Sequence, residues 1–339
     1  MLEKLNLKKN NFNICLSLLR IYLSFLVVNA HCLDIKKNIY TFLIKNFLPV
    51  PTFYIMSFYF FHKTLLSKNI EKFIQRFERL LIPYIIWPII IWILHNLLYI
   101  LSKFYFPLYF RDLIIQLLTG HRYIQTLWFQ LNLILETGLF IIILLIFKNN
   151  IIFILLNIEL FAYILQYSNY NFKIYSNLNY EIKYSLGRFA EIIPFSVSGF
   201  MMSYFGFIDY LRKYRMKCLY LNLIIFIIIC KYEIFNKEKG FFYSGIKLNI
   251  LSICLFINFS IININIQNTR IIGFIKEISK FTYGIYFLHI PVMKYLNNYI
   301  KIIKYRNLFG SILIFIICFI ICLIANKLFY KSKLIYLFK

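Results

Sequence analysis

The chain has 339 residues, of which 61% are hydrophobic and only 15% are charged. This composition excludes an intrinsically disordered chain, and it supplies far more apolar sequence than one soluble core can bury. The net charge of +25 would suggest a nucleic-acid partner in a soluble protein, but here the basic residues are spread over short connectors between apolar runs. Such connectors lie near anionic lipid headgroups, so we predict that the partner is a lipid bilayer and not nucleic acid.

Ten apolar segments are long enough to be transmembrane helices, which need about 20 mostly apolar residues each. These segments are residues 14–34, 47–66, 80–101, 127–147, 151–167, 189–207, 216–231, 243–265, 277–296 and 308–328. No connector is long enough for a second domain, so we predict one all-α domain over residues 1–339, built as a bundle of ten transmembrane helices. The seven cysteines form no CxxC pair, and we predict neither a metal site nor a permanently bound cofactor.

An even number of spans places both termini on the same side of the membrane. The most basic short connectors are residues 67–79 and 208–217, and both fall on the side of the termini. Because basic connectors favour the cytoplasm, we expect cytoplasmic termini in a plasma or inner membrane.

Two ionisable residues stand in the first predicted span. Arg20 and His31 are eleven residues apart, which in a helix is three turns plus about 20°, so they share a face at an axial separation of about 16.5 Å. A guanidinium at this position can bind a phosphate or a carboxylate, and an imidazole can act as a general base or a nucleophile. The alternative is an arginine that snorkels to the interface and a histidine at a helix end.

Other polar residues in or near the spans leave the same two interpretations open. Asp34 follows His31 at i+3 and could fix its tautomer, or it is an ordinary residue of a polar connector. Buried carboxylates either act on protons and substrate or pair with polar side chains to hold the bundle together. Those in the fourth to sixth spans are Glu136, Glu159 and Glu191.

Four segments together match the residues that a known family of membrane proteins has at corresponding positions. The first is the pair Arg20-x10-His31 itself. The second is VPTFYIMSFYFF, where Pro51, Phe53 and Ser57 fit the pattern and Phe58 stands where glycine is usual.

The third segment is RFERLLIPYIIW, where the fitting residues are Arg76, Arg79, Pro83 and Trp87. The fourth is FTYGIYFLH, where the fitting residues are Tyr283, Gly284, Tyr286 and His289. A weaker fit is TLWFQLNLI, in which Thr126 replaces a frequent histidine. In this order, the segments resemble the integral-membrane acyltransferase family, type 3.

The resemblance implies a membrane O-acyltransferase with about ten spans. Such an enzyme transfers an acyl group, commonly acetyl, from acyl-CoA as the donor substrate to a sugar or lipid hydroxyl. The expected acceptor is a surface polysaccharide or a lipid-linked glycan. The donor would dock from the cytoplasm, with its phosphates and adenine near Arg20, Arg76 and Arg79.

The resemblance also implies catalytic roles beyond the donor site. His31, assisted by Asp34, would deprotonate the acceptor or carry the acyl group itself. Tyr286 and His289, and less strongly Ser57, are the candidate hydrogen-bond donors to the oxyanion.

Two alternatives remain at this stage. The chain could be a flippase or exporter of a glycan or lipid intermediate, although an exporter has no need for a guanidinium and an imidazole on one helix face. It could also be an inactive relative with a scaffold role, because of the departures at Phe58 and Thr126.

Overall fold

The computed structural model describes residues 13–32, 49–66, 70–102, 107–124, 126–147, 150–172, 180–236, 245–262, 264, 266, 268–299 and 308–338. These residues form thirteen α-helices and one 3-10 helix, and the described part of the chain contains no strand. The helices are α1 (Ile14–Cys32), α2 (Pro49–Leu66), α3 (Ile70–Ser102), α4 (Phe110–Thr119), α5 (Leu127–Ile146), α6 (Ile151–Phe172), α7 (Tyr180–Tyr204), α8 (Phe207–Arg212), α9 (Arg215–Asn236), α10 (Ile246–Ile261), α11 (Thr269–Lys280), α12 (Thr282–Tyr299), α13 (Leu308–Leu328) and the 3-10 helix Lys333–Leu337.

The prediction of an all-α membrane protein is confirmed. Each of the ten predicted spans overlaps a helix of at least sixteen residues, between α1 and α13. The ninth span, 277–296, is wrong at its start, because residues 277–280 belong to α11 and the helix breaks at Phe281 before α12. Five helices are long and apolar enough by themselves to cross a bilayer, and these are Ile14–Cys32, Ile70–Leu97, Leu127–Ile146, Ile151–Ser168 and Leu308–Leu328. Helix α10 is apolar but shorter.

The prediction that residues 67–79 form a connector is wrong for residues 70–79. Residues 70–79 are not a loop but the first turns of α3, which has 33 residues and is therefore about 50 Å long. The basic residues Lys72, Arg76 and Arg79 are spaced by four and three positions, so they project from one face of this helix. The three cations of this charged segment therefore lie on one side of α3, and the segment also carries Glu71 and Glu78.

Helix α2 lies inside the bundle and contacts α1, α7 and α10. Its approach to α7 is closest at Gly199, where an added Cβ would lie 2.2 Å from the carbonyl oxygen of Ile55. Small residues at such crossings let two helix backbones touch, which is a main source of attraction between helices in a membrane. Gly199 therefore fixes how deeply α2, with its site residues, sits against α7.

Gly199→Ala is expected to lower the free energy of unfolding by about 2 kcal/mol or more, because the new methyl group collides with the α2 backbone, which cannot rotate away. Thermal unfolding of the detergent-purified protein measures the change. Gly187→Ala is the matched control, because Gly187 is on the same helix and an added Cβ there has no neighbour within 4 Å. Equal melting temperatures for the two variants would contradict the close α2–α7 contact.

Candidate active site

A cavity of about 780 Å³ lies among α1, α2, α3, α5, α11 and α12. Five cationic side chains line it, and they are Arg20, Lys72, Arg76, Arg79 and Lys280. No aspartate or glutamate is among the described residues of the lining. So many like charges around one cavity create a strongly positive potential, which suits a polyanionic ligand.

The cavity reaches the end of the bundle at which α1 begins. Thr64 near the end of α2, Lys72 near the start of α3 and Lys280 at the end of α11 all belong to its lining. From there the cavity extends inward to Phe129 and Tyr286. The ligand-sized space is therefore open towards one face of the membrane bundle and ends inside it.

Aromatic rings support the three predicted arginines. The guanidinium carbon of Arg20 lies 5.6 Å from the centre of the Phe60 ring, and that of Arg79 lies 5.7 Å from the Tyr336 ring. Contacts of this kind stabilise a cation that is partly removed from water. The arginines thus keep their positions without a carboxylate partner in the described lining of the cavity.

Arg76 has the most constrained position of the three. Its guanidinium carbon lies 4.9 Å from the Phe61 ring, and its Nη2 donates a 2.9 Å hydrogen bond to the Ser57 hydroxyl. Its Nε and the hydroxyl of Tyr283 are both buried, and neither has a hydrogen-bond partner within the described part of the protein. Buried donors are costly when unpaired, so these two groups are available to hydrogen-bond a ligand in the cavity.

A pair of histidines lies beyond the inner end of the cavity. The ring centroids of His31 and His289 are 5.1 Å apart. His31 is exposed in the last turn of α1, at the opposite end of that helix from the cavity mouth. His289 is buried, and neither ring nitrogen has a hydrogen-bond partner in the described structure.

Tyr286 connects the cavity with this pair. It lines the cavity, and its ring centroid lies 5.9 Å from that of His289, one helical turn further along α12. The rings of Tyr286, His289 and His31 therefore form a continuous series from the cavity to the far end of α1. The Tyr286 hydroxyl donates a 3.1 Å hydrogen bond to the backbone carbonyl of Thr126.

Gln116 holds the loop that carries this carbonyl. Its side-chain oxygen accepts hydrogen bonds from the backbone N–H groups of Arg122, Tyr123 and Ile124, at 3.0, 2.9 and 2.9 Å. Its amide nitrogen donates back to the carbonyl of Ile124 at 3.2 Å. One buried amide thus pairs with four backbone groups of residues 122–124, close to the carbonyl that accepts from Tyr286.

The three carboxylates singled out from the sequence are absent from the cavity lining. Glu136 and Glu159 connect two helices each, whereas the partner of Glu191 is on the same helix, α7. The Ser196 hydroxyl donates to Glu136, joining α7 to α5. Glu159 accepts a 3.5 Å hydrogen bond from Asn249, and Glu191 forms a 2.8 Å ion pair with Arg188. These contacts favour the interpretation of bundle packing. Asp34, the predicted partner of His31, lies outside the described residues.

The two departures from the family pattern, Phe58 and Thr126, both lie outside the cavity lining. Phe58 is fully buried and packs against Phe61 and Phe140, with ring centroids 5.8 and 4.7 Å away, and it is not part of the cavity lining. Thr126 contributes its backbone carbonyl to Tyr286, a role for which the side chain is irrelevant. Its own hydroxyl is buried without a partner in the described structure.

Among the lining residues that the sequence analysis missed are two of the five cations, Lys72 and Lys280, and the aromatic residue Tyr336. Lys72 has a visible signal, because it precedes Arg76 by one helical turn. Lys280 and Tyr336 have no such signal in the sequence, because only the packing of α11 and of the 3-10 helix brings them to the cavity.

A family model described as an acyltransferase domain matches residues 13–327, which is nearly the whole chain. No curated protein and no solved structure matches the chain. The matched range contains the three arginines and the histidine pair, but not Tyr336.

His289→Leu is expected to leave the melting temperature unchanged or to raise it, because it removes a buried ring with two unpaired nitrogens and keeps a similar volume. Tyr54→Phe is the control that should lower it, because the Tyr54 hydroxyl donates a 2.6 Å hydrogen bond to the carbonyl of Phe129. Thermal unfolding in detergent compares the two. If both variants are destabilised equally, His289 is a packing residue and not a residue held ready for a ligand.

Proposed function

Because the chain belongs to this acyltransferase family and is an integral membrane protein, we propose that it is a membrane O-acetyltransferase. The donor is acetyl-CoA, and the acceptor is a hydroxyl of a surface polysaccharide or a lipid-linked glycan. The observation that carries the proposal is the cationic cavity whose inner end adjoins a histidine pair. Coenzyme A has three phosphates at one end and a reactive thioester at the end of a long flexible arm. A site for it needs cations at the mouth and acid–base groups at a distance, which is the arrangement described above.

The donor phosphates are assigned to the basic residues of the cavity. Arg76 is central to this assignment, since its Nε is buried and unpaired within the described structure while its Nη2 is already used by Ser57. A guanidinium donates hydrogen bonds in a fixed planar geometry that matches phosphate oxygens. Arg20 and Arg79 add charge from α1 and from the next turn of α3.

The thioester is assigned to the inner end of the cavity, near Tyr286. Arg20 and His31 are eleven residues apart on one continuous helix, a rise of about 16.5 Å. This distance suits the pantetheine arm, so phosphates near Arg20 would leave the acyl group close to the ring series that leads to His31. Of the two predicted oxyanion donors, His289 has unpaired ring nitrogens and can donate to the thioester oxygen as it becomes negative. The Tyr286 hydroxyl already donates to the Thr126 carbonyl, so it would have to leave that acceptor to take this role.

His31 is assigned to the acceptor side because it is exposed at the other end of α1. There its imidazole can remove the proton of the acceptor hydroxyl as that oxygen attacks the thioester carbonyl, and the proton then goes to the departing thiolate of coenzyme A. It can also accept the acyl group first and pass it on. The products are the same in both routes: an ester and free coenzyme A.

Cytoplasmic termini follow from the same proposal. The cavity mouth lies at the end where α1 begins, and the acceptor side is the opposite face. Since coenzyme A does not cross a bilayer unaided, the donor must be supplied from the side of the termini. Basic residues of α8 and α9 on this side agree with the positive-inside rule, and they are Arg212, Lys213, Arg215 and Lys217.

Sealed membrane vesicles test donor and orientation together. Inverted vesicles should release coenzyme A from added acetyl-CoA and transfer labelled acetyl to membrane glycan or lipid, whereas right-side-out vesicles should do so only after permeabilisation. Turnover from the outside alone would reverse the orientation, and no turnover in either preparation would refute the donor.

Arg76→Gln provides the site-specific arm of this experiment. It should raise the KM for acetyl-CoA by about tenfold or more, because a hydrogen bond to a charged group is lost. Arg215→Gln is the matched control, because Arg215 is an exposed arginine at the same end of the bundle and outside the cavity lining.

His31→Ala should abolish transfer to the acceptor while the affinity for coenzyme A stays unchanged, because His31 lies outside the donor cavity. Labelled-acetyl transfer and calorimetric titration with coenzyme A measure the two properties. His95→Ala on α3 is the control and should retain transfer, since His95 belongs neither to the cavity nor to the histidine pair. Near-normal transfer by His31→Ala would remove this residue from the mechanism.

A further inference from the structure

The segment that follows α13 folds back and closes one side of the cationic cavity. Ser332 caps the 3-10 helix Lys333–Leu337 by accepting a 3.1 Å hydrogen bond from the N–H of Leu334. Lys333 donates to the Glu78 carboxylate of α3, which raises the pKa of the lysine above its usual value. The segment is therefore tied to the helix that supplies three of the cavity cations.

Apolar contacts fix the same segment more firmly. Leu337 and Phe338 are buried, and the Phe338 ring stacks on Phe329 with centroids 6.1 Å apart. The indole nitrogen of Trp87 donates a 3.3 Å hydrogen bond to the carbonyl of Leu337. At Gly284 of α12, an added Cβ would lie 2.6 Å from the Phe338 carbonyl oxygen. The segment packs so closely on α12 that only glycine fits beneath it.

Tyr336 is the residue of this segment that lines the cavity. In a 3-10 helix the residues i and i+3 lie directly above one another, so Lys333 and Tyr336 project together towards Glu78 and Arg79, which are consecutive on α3. The Arg79 guanidinium carbon lies 5.7 Å from the centre of the Tyr336 ring. The Arg79 guanidinium thus lies over one face of the Tyr336 ring, and the ring lines a cavity otherwise rich in simple positive charge.

We propose that Tyr336 binds the adenine ring of the donor by stacking, beside the arginines that bind its phosphates. The inference rests on the proposed acetyl-CoA donor and adds a base-recognition residue from outside the matched family region. A polyphosphate without a base would need only the cations. A flat aromatic surface next to them distinguishes a nucleotide-bearing ligand, because every purine has a face that stacks on tyrosine.

Competition by two anions tests this role. Adenosine 3′,5′-bisphosphate carries base and phosphates, whereas pyrophosphate carries phosphates alone, and both should compete with acetyl-CoA in the purified full chain. In Tyr336→Ala, the inhibition constant of the bisphosphate should rise by about tenfold or more, as for other lost base–aromatic contacts. That of pyrophosphate should rise clearly less, because Arg20 and Arg76 keep their supporting rings and only Arg79 loses the ring beneath its guanidinium. Tyr336→Phe should restore binding, since stacking needs the ring and not the hydroxyl.

Tyr330→Ala is the matched control, because Tyr330 is an exposed tyrosine near the same end of the bundle and outside the cavity lining. If Tyr336→Ala does not fold, Tyr336→Leu keeps apolar bulk and should show the same selective loss. Equal weakening of both anions, or no change in either, would overturn the role of Tyr336. Failure of the wild-type chain to bind or use acetyl-CoA would instead refute the proposed function, and direct calorimetry with the bisphosphate would still report on Tyr336.

Discussion

Like charges gathered inside a membrane bundle impose the main constraint on this structure. Arg20, Arg76 and Arg79 repel one another, and removing each from water is costly without a compensating partner. Carboxylates would relieve the repulsion but would also neutralise the site. The described structure uses aromatic faces and a serine hydroxyl instead. Such contacts stabilise a cation and leave its charge available to an anionic ligand.

Much of the architecture depends on supplying those contacts from several helices. Phe60, Phe61 and Ser57 come from α2, whose position is set by the crossing at Gly199. Arg76 and Arg79 require α3 to continue as a helix through a charged segment. Tyr336 requires the chain to return after the last long helix. A substitution far from the cavity can therefore alter the donor site by moving one of these supports.

The sequence predicts the long helices well, because ten apolar runs have few other stable forms in a bilayer. It does not predict α4, α11 or the 3-10 helix, which are short and are fixed by tertiary contacts. The same limit applies to the site. Arg20 and His31 can be assigned to one face of α1 from their spacing, and Arg76 and Arg79 were recognised through a family pattern. That His31 meets His289, or that Tyr336 meets Arg79, depends on the packing of separate elements, which no local spacing encodes.

The close contact between Gly284 and Phe338 has a consequence for the entry of substrate. Lifting the segment would expose Leu337 and Phe338 to water, at about 1.5–3 kcal/mol for each side chain, and would break the hydrogen bond from Trp87. These contacts favour the segment as a wall of the cavity over a flap that lifts away. In the proposed function, the donor would enter along the membrane surface, through the opening bounded by Thr64, Lys72 and Lys280, and anionic lipid headgroups would compete with its phosphates for the same cations. On that proposal, the lipid composition of the surrounding leaflet would change the effective donor concentration at the mouth of the cavity.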